Sequence, residues 1–251
     1  MKEVEDNPLP GYDFKAGTML LVDKPQDWTS FDVVNKIRHK IKRRLGVKKI
    51  KVGHAGTLDP MATGLLIICT GKATKTIDGY QGMPKTYTGT IRLGSTTPSF
   101  DAETPVDAQY PIDHITNEAI EAARQQFIGD LEQIPPVFSA IKVDGQPLYK
   151  KARKGIEVKV EPRPVSIYSF EVTRIDLPEV DFEVRCSKGT YIRSLAHDFG
   201  KALDSGAHLI ALRRTAIGEY KVNDAWQIED LVKIINEGPI VGAVTAKTEQ
   251  H

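Results

Sequence analysis

The sequence predicts an α/β or α+β fold that is built on a mixed sheet. Strand-like segments are interspersed with amphipathic helical segments, without the strict alternation of strand and helix that a parallel sheet requires. The chain has 251 residues, of which 40% are hydrophobic and 27% are charged, an ordinary balance for a soluble protein. This length allows one large domain or two small ones, with a sizeable core.

The first elements of the chain are predicted from start and stop signals. We expect residues 1–17 to form a loosely held arm, and residues 18–25 (TMLLVDKP) to form a strand that ends at Pro25. Ser30 is expected to cap an amphipathic helix. The apolar face of this helix would carry Val34, Ile37, Ile41 and Leu45, and its outer face the basic residues Arg38, Lys42 and Arg43.

The middle of the chain is predicted to contain strands, a loop and one helix. Residues 64–70 (GLLIICT) have the composition of a buried strand, and residues 86–94 (TYTGTIRLG) alternate as in a half-buried strand. Residues 94–106 are predicted to form a polar loop. Thr116 is expected to cap a helix that ends before Gly129.

A long insertion at about residues 132–163 interrupts the pattern of regular elements. Loops of this length are usually functional or disordered. This one contains several prolines and a second basic cluster, Lys150, Lys151, Arg153 and Lys154.

The last part of the chain returns to regular elements. We expect two strands at residues 166–175 and 182–187, a helix from about Tyr191, two closing strands around Arg213 and Arg214, and a final amphipathic helix stopped by Gly238 and Pro239.

The charge distribution bears on the kind of partner. The net charge is only +1, so a polyanionic partner would need positive charge that is concentrated locally. Between Lys36 and Lys51 there are nine Lys or Arg residues and no Asp or Glu. Such a run is often just a solvated helix face, so contact with a nucleic acid is one of two interpretations.

The cysteines and the N-terminus indicate the compartment. Cys69 and Cys186 lie in apolar, strand-like segments, as buried free thiols in a reducing compartment do. There is no apolar run of about 18 residues that could span a membrane, and the acidic N-terminal segment is unlike a signal peptide. We therefore expect a cytoplasmic protein without a membrane partner.

Motifs for several familiar chemistries are absent from the sequence. It has no phosphate-binding or dinucleotide-binding glycine motif, no serine-nucleophile motif and no His/Cys spacing typical of zinc. The sequence therefore predicts a site without a cofactor or metal. Three residues stand in unusually specific contexts: Asp59 in GTLDP, Tyr87 in KTYTGTIRLG and Arg193 in CSKGTYIRSLAHD.

These contexts carry a resemblance to a known family. The segments GHAGTLDPMATGLL, GKATK, KTYTGTIRLG, QIPPVFSAIKVDGQPLYKKARKG, CSKGTYIRSLAHDFG and AHLIALRRTAIGEY occur in the order found in bacterial TruB tRNA pseudouridine synthases. The chain resembles that family from about Leu20 to Tyr220. Six blocks in order are far more specific than one short motif.

The resemblance implies a fold and a reaction. The fold is the pseudouridine synthase catalytic fold, a mixed, mainly antiparallel sheet with flanking helices, here over residues 18–238 with a tail at residues 239–251. The reaction isomerises the T-loop uridine at tRNA position 55 without a cofactor. Met61 stands where relatives often have Leu, a volume-conserving change that leaves the interpretation intact.

The resemblance also assigns roles to individual residues. Asp59 matches the essential aspartate, which either attacks C1′ of the ribose or removes its 2′ proton; the sequence leaves both routes open. Arg193 matches the cation that keeps this carboxylate ionised, and Tyr87 matches the aromatic residue that stacks on the flipped base. His54 matches a residue that packs into the T loop, and other positions near the pocket are matched by Lys24, Lys72, Tyr191 and Leu212.

Each of these residues also has an ordinary structural interpretation. Asp59 before a proline could simply form a turn, Tyr87 could be a core residue of its strand, and Leu212 could be a plain core leucine. The joint presence of Asp59, Tyr87 and Arg193 favours an enzyme over the alternative of an inert tRNA-folding factor.

Many members of the family carry a C-terminal RNA-binding module of the PUA type. Only about 30 residues follow Tyr220, too few for such a module. We therefore expect the catalytic domain to grip tRNA through its own basic clusters. A guide-dependent synthase of the archaeal and eukaryotic kind would retain the module, so we expect a standalone, monomeric enzyme that needs no guide RNA and no partner protein.

Overall fold

The computed structural model describes residues 11–139, 141–143, 145–148, 151, 158 and 160–239. Its strands are β1 (Met19–Lys24), β2 (Val52–His54), β3 (Thr63–Thr70), β4 (Lys85–Leu93), β5 (Ser95–Thr96), β6 (Ala108–Gln109), β7 (Gly129–Gln133), β8 (Lys142–Val143), β9 (Gln146–Pro147), β10 (Arg163–Asp176), β11 (Glu179–Cys186), β12 (Ala207–Ile217), β13 (Tyr220–Lys221) and β14 (Trp226–Gln227). Its α-helices are α1 (Ser30–Leu45), α2 (Ile77–Gly82), α3 (Asn117–Gln125), α4 (Ile192–Ala202) and α5 (Ile228–Glu237), and 3-10 helices span Gly71–Thr76 and Val222–Asp224.

The described residues divide into two compact units, which fall within residues 1–81 with 219–251 and within residues 82–218. In the first unit β3 pairs antiparallel with β1 and β2, while β14 lies parallel to β1. The helices α1 and α5 cover this sheet, and their apolar faces form one core with it. A 16-residue helix such as α1 is marginally stable alone in water, so burial of its apolar face supplies most of its stability.

The second unit is an antiparallel sheet with the strand order β12-β4-β11-β10-β7. The helix α4 packs on β12 and α3 packs on β10. Edge-to-face contacts join the aromatic rings of this core, with Phe170 in contact with Phe127, Phe182 and Phe199. The predicted fold class, a mainly antiparallel mixed sheet with flanking helices, is confirmed.

Two predicted elements differ from the structure. The residue that caps α1 is Thr29, whose hydroxyl accepts from the Asp32 amide while the Asp32 carboxylate accepts from the Thr29 amide. Ser30 is instead the first helical residue. The two closing strands predicted around Arg213 and Arg214 are one continuous strand, β12, which passes through both arginines with two register shifts.

The N-terminal segment is held more firmly than expected. Phe14 is fully buried in the core of the first unit and stacks on Tyr12. The Asp13 carboxylate accepts from the Lys15 and Ala16 amides and closes a turn. The prediction of a loosely held arm is therefore wrong for residues 11–17. Residues 1–10 lie outside the described part of the chain. Within the described residues, no helix is long and apolar enough to cross a membrane.

Candidate active site

Asp59 lies on a tight turn between two strands of the first unit. The strands β2 and β3 form a hairpin, and this turn lies in the connection between them. Beyond the end of β2, the Ala55 amide still donates to the Ile67 carbonyl of β3 at 2.9 Å. The turn closes where the Ala62 amide donates to the Asp59 carbonyl at 3.1 Å. The Asp59 side chain is half-buried at this position. The carboxylate therefore sits at the mouth of the buried strand β3, as the sequence predicts.

Two side chains from neighbouring elements fix the backbone on either side of Asp59. The Ser30 hydroxyl accepts from the Leu58 amide at 2.9 Å and donates to the Leu58 carbonyl at 3.2 Å. The Asp27 amide donates to the Pro60 carbonyl at 2.9 Å. Because the residues before and after Asp59 are both tied to the region around the start of α1, the turn has little freedom to move.

Lys24 is the third anchor of this turn. Its side chain is fully buried, and its ammonium group donates to the backbone carbonyls of Pro25 (2.9 Å), Trp28 (2.6 Å) and Pro60 (3.2 Å). A buried ammonium needs such acceptors, because the loss of its hydration is otherwise very costly. These contacts give Lys24 a positioning role beside Asp59, while its contact with the substrate remains a prediction.

The other two predicted residues of the first unit differ in their surroundings. His54 ends β2 and is half-buried. Lys72 is exposed in the 3-10 helix that follows β3. Both roles taken from the resemblance remain predictions.

Tyr87 lies on β4 in the second unit and is 9% exposed. It is in register with Val184 of β11 on one side and Arg214 of β12 on the other. Leu212, also on β12 and also 9% exposed, is in register with Gly89. The structure thus places both predicted residues on adjacent strands.

Two buried cations accompany Tyr87. Arg214 is 1% exposed, and Lys85, two residues before Tyr87 on the same strand, is 6% exposed. The Lys85 ammonium donates to the Met83 carbonyl at 2.6 Å. Desolvation, with a smaller contribution from the nearby Arg214 charge, lowers the pKa of Lys85 to about 8. Two buried cationic side chains therefore lie beside Tyr87, one on its own strand and one on β12.

Arg193 lies in the first turn of α4 and is 4% exposed. Its guanidinium nitrogens donate to the carbonyls of Ser99 (3.2 Å) and Phe138 (3.0 Å). Its Nε atom lies 3.5 Å from Oδ2 of Asp101, which is fully buried. These partners compensate for the unfavourable position of a cation at a helix N-terminus. They also fix the orientation of the guanidinium plane.

Asp101 is a site residue that the sequence analysis missed. Its other carboxylate oxygen, Oδ1, accepts from the Ser99 hydroxyl at 2.6 Å and from the Glu103 amide at 2.9 Å. The segment was predicted to be a polar loop, yet Thr97, Ser99 and Asp101 are buried. Its composition is that of any surface loop, so the sequence carried no signal for this burial.

Tyr191 is the N-cap residue of α4, and its backbone amide and carbonyl both form hydrogen bonds with one side chain. Gln133 at the end of β7 accepts from the Tyr191 amide at 2.8 Å and donates to the Tyr191 carbonyl at 3.0 Å. The next residue of the same segment, Ile134, accepts a hydrogen bond from Ser194 at 2.7 Å. The residues that lead into the long insertion are thus attached to the helix that carries Arg193.

The predicted RNA-binding surface is only partly exposed. Arg38 donates to the Asn35 side chain at 2.8 Å and to the Val52 carbonyl at 2.9 Å, so its guanidinium group joins α1 to β2. Arg43 is exposed and Lys42 is half-buried on the same helix. Lys151 is half-buried, and Lys150, Arg153 and Lys154 lie outside the described residues.

Comparison with known proteins gives consistent results. Residues 42–192 match the N-terminal domain model of the TruB family pseudouridylate synthases, and residues 193–238 match the C-terminal domain model of tRNA pseudouridylate synthase B. The tRNA pseudouridine synthase B of Phocaeicola vulgatus is 56% identical over 90% of this chain and 97% of its own length. The protein of the same name from Flavobacterium johnsoniae is 55% identical over 86% of this chain and 95% of its own length.

Comparison with solved structures points to the same family. A chain of a Cbf5-Nop10-Gar1 complex superposes with a TM-score of 0.64 at 30% identity over 88% of this chain. This chain spans 54% of the length of that one. A family model that matches more than half of the residues, together with relatives more than 50% identical over most of their length, is decisive. The chain belongs to the TruB family of pseudouridylate synthases.

Proposed function

We propose that this protein is a tRNA pseudouridine synthase that converts the T-loop uridine at position 55 of tRNA into pseudouridine. The observation that carries the proposal is the position of Asp59 within the family's sequence block, on a turn that Ser30 and Lys24 hold in place. A reacting carboxylate must be fixed to within a fraction of an ångström, and this turn supplies that rigidity.

The reaction breaks the C1′–N1 bond of uridine, rotates the base and forms a C1′–C5 bond. Positive charge develops at C1′ as the first bond breaks, so a fixed carboxylate either stabilises or attacks this carbon. In a second route the same carboxylate removes the 2′ proton and a glycal forms. In both routes Asp59 is the group that reacts at the ribose.

Tyr87 and Arg193 complete the proposed catalytic set. The phenol ring of Tyr87 stacks on the flipped base and assists removal of the C5 proton. Arg193 supplies the positive charge that keeps the reacting carboxylate ionised. Its bonds to Ser99 and Phe138 hold the guanidinium in a single orientation.

The substrate uridine lies inside a folded RNA loop and must be flipped out before it reacts. We assign His54 to the space that the displaced nucleotides leave, and Lys24, Lys72, Tyr191 and Leu212 to the surroundings of the pocket. The enzyme acts as a standalone, cofactor-free monomer in the cytoplasm. Phosphate contacts come from Lys42 and Arg43 on α1 and from the basic cluster at residues 150–154.

The test is conversion of an unmodified T-arm stem-loop by the purified protein. Because pseudouridine and uridine have the same mass, the product is detected by its retention time after nuclease digestion, or by a carbodiimide adduct that stops reverse transcription. We expect stoichiometric conversion at position 55 alone. Absence of any product with both the stem-loop and a full tRNA transcript would overturn the proposal.

A further inference from the structure

Phe100 has an unusual backbone conformation within the segment that contacts Arg193. Its φ angle is +63°, in the left-handed region that a bulky side chain rarely adopts. Strain of this kind persists only where the surrounding structure over-determines the conformation. Specific contacts must therefore hold Phe100 in place.

Backbone hydrogen bonds hold Phe100 on two sides. Its amide donates to the Thr97 carbonyl at 3.1 Å, and its carbonyl accepts from the Leu209 amide at 3.0 Å. Leu209 lies at the first of the two register shifts of β12, and it also forms a bridge with Asp101. The segment is thus attached to β12 through its backbone at both Phe100 and Asp101.

The ring of His197 packs against the ring of Phe100. The ring centroids are 3.8 Å apart and the ring planes are inclined by 10°, so the two rings are stacked. The Nδ1 atom of His197 is buried and has no hydrogen-bond partner among the described residues. Desolvation lowers the pKa of the imidazole to about 4, so the ring is neutral at neutral pH. The contact is therefore one between two uncharged flat rings.

The stack joins two parts of the structure that both determine where the Arg193 guanidinium lies. Arg193 is about one turn before His197 on α4. Its guanidinium donates to the Ser99 carbonyl, and its Nε atom lies 3.5 Å from Oδ2 of Asp101. Ser99 and Asp101 are the residues on either side of Phe100. The helix that carries Arg193 is thus bound to the middle of the segment that supplies two of its partners.

We propose that Phe100 and His197 are positioning residues for Arg193, because their stack fixes Ser99 and Asp101 against the guanidinium in the orientation that the reaction requires. The proposal rests on the proposed function, since it takes Arg193 as a catalytic group. Neither ring needs to touch the RNA substrate. A shift of Phe100 would displace both neighbouring residues, and a displacement of about 1 Å near the reacting groups can slow a reaction by about 100-fold.

The test removes one ring at a time and measures rate and affinity separately. His197→Ala and Phe100→Leu each abolish the stack, whereas His197→Phe keeps a ring at this position. Phe127→Leu removes an aromatic contact to Phe199 of the same helix and is the matched control. The single-turnover rate of pseudouridine formation at saturating tRNA and the dissociation constant of tRNA are measured for each folded variant.

We expect His197→Ala and Phe100→Leu to lower the single-turnover rate by about 10- to 100-fold while the affinity for tRNA stays near-native. His197→Phe should retain most of the rate. Phe127→Leu should be less stable than the wild-type protein but equally fast. A rate loss in Phe127→Leu as large as that in His197→Ala would overturn the proposal, because general destabilisation would then explain it. So would a His197→Phe enzyme as slow as His197→Ala.

A second measurement does not depend on activity. Urea unfolding gives the loss of stability that Asp101→Asn causes in the wild-type protein and in the His197→Ala and Phe127→Leu backgrounds. We expect a smaller loss in the His197→Ala background, where the contact between Asp101 and Arg193 is already weakened, and an unchanged loss in the Phe127→Leu background. Equal losses in all three proteins would overturn the proposal. If the wild-type protein forms no pseudouridine, the proposed function fails, whereas the smaller loss would still show that the stack positions Arg193.

Discussion

The Nε atom of Arg193 lies 3.5 Å from Oδ2 of Asp101, and both side chains are almost fully buried. A buried ion pair adds little net stability when intact, because desolvation offsets the attraction. Breaking it is costly, since the remaining charge loses its counter-ion in a medium of low dielectric constant. Arg193 is therefore held as a cation in a fixed place by a residue that lies in another segment of the second unit.

Replacement of Asp101 tests this dependence. Asp101→Asn retains the size and one hydrogen-bonding oxygen but leaves Arg193 without this negative charge. We expect a loss of about 3 kcal/mol in the free energy of unfolding, measured with urea, and a large decrease in the rate of pseudouridine formation. Asp107→Asn, at an exposed position where the carboxylate accepts from the Thr96 hydroxyl, serves as the control and should lose about 1 kcal/mol or less. Equal losses in the two variants would contradict the argument.

Lys24→Met should loosen the turn that carries Asp59. The methionine fills a similar volume but leaves the Pro25, Trp28 and Pro60 carbonyls without their shared donor. We expect the free energy of unfolding to fall by about 2–4 kcal/mol, and the single-turnover rate to decrease under conditions where the variant is fully folded. The exposed Lys48→Met should change stability by less than ~0.5 kcal/mol. A normal rate in a folded Lys24→Met protein would show that the turn needs no such anchor.

His197 should make the protein less stable in mild acid. Desolvation, aided by the Lys201 charge, lowers the pKa of His197 to about 4, and its ring stacks on Phe100 at a centroid distance of 3.8 Å. Between about pH 6.5 and pH 4 the unfolded chain binds a proton that the folded protein does not, so stability falls as the pH falls. This contribution is at most about 3 kcal/mol.

The variant His197→Phe keeps a ring on Phe100 and removes the titrating group. Urea unfolding at a series of pH values should show a flatter profile for this variant than for the wild-type protein in that range. His39→Gln, on the exposed side of α1, is the matched control and should leave the profile unchanged. A profile for His197→Phe as steep as that of the wild-type protein would refute the assignment.

The basic face of α1 should contribute to tRNA affinity mainly through charge. Replacement of Lys42 and Arg43 by Gln is expected to weaken binding and to reduce the salt slope by ~0.7–0.9 per lost phosphate contact. Arg38 is left unchanged in this test, since its bonds to Asn35 and Val52 support the fold. Filter binding over a range of salt concentrations measures the effect. An affinity that does not vary with salt would rule out phosphate contact at this surface.

Short-range sequence patterns were sufficient to predict the elements that depend on only a few neighbouring residues. The apolar face of α1, the buried strand β3 and the cap at Thr116 all follow from such short-range patterns, and the structure confirms them. The capping residue of α1 could not be predicted in this way, because Thr29 and Ser30 both carry a suitable hydroxyl. The choice falls on Thr29, since the Ser30 hydroxyl is bonded to Leu58, a contact that only the tertiary fold creates.

Long-range pairing explains what the sequence could not predict. Asp101 is buried because Arg193, far along the chain, lies against it. The continuity of β12 depends on register shifts against β4 that let one strand bend through both arginines. The close approach of Phe14, Lys15 and Lys51 to Gly71 likewise joins segments that are separate in sequence. In each case the deciding contact joins residues that no short window of sequence contains.

Asp59→Asn separates the chemistry from the binding of RNA. The substitution keeps the size of the side chain and most of its hydrogen-bonding capacity, and the backbone bonds that Ser30, Asp27 and Lys24 make around the turn do not involve the carboxylate. We therefore expect the variant to fold and to bind tRNA with near-native affinity, measured by filter binding. The single-turnover rate, measured by quench-flow, should fall by at least ~10⁴-fold, because an amide can neither attack C1′ nor accept the 2′ proton. Asp27→Asn, in the neighbouring turn, should retain the wild-type rate. An Asp59→Asn enzyme with more than about a tenth of that rate would show that the carboxylate is structural, and the proposed mechanism would be abandoned.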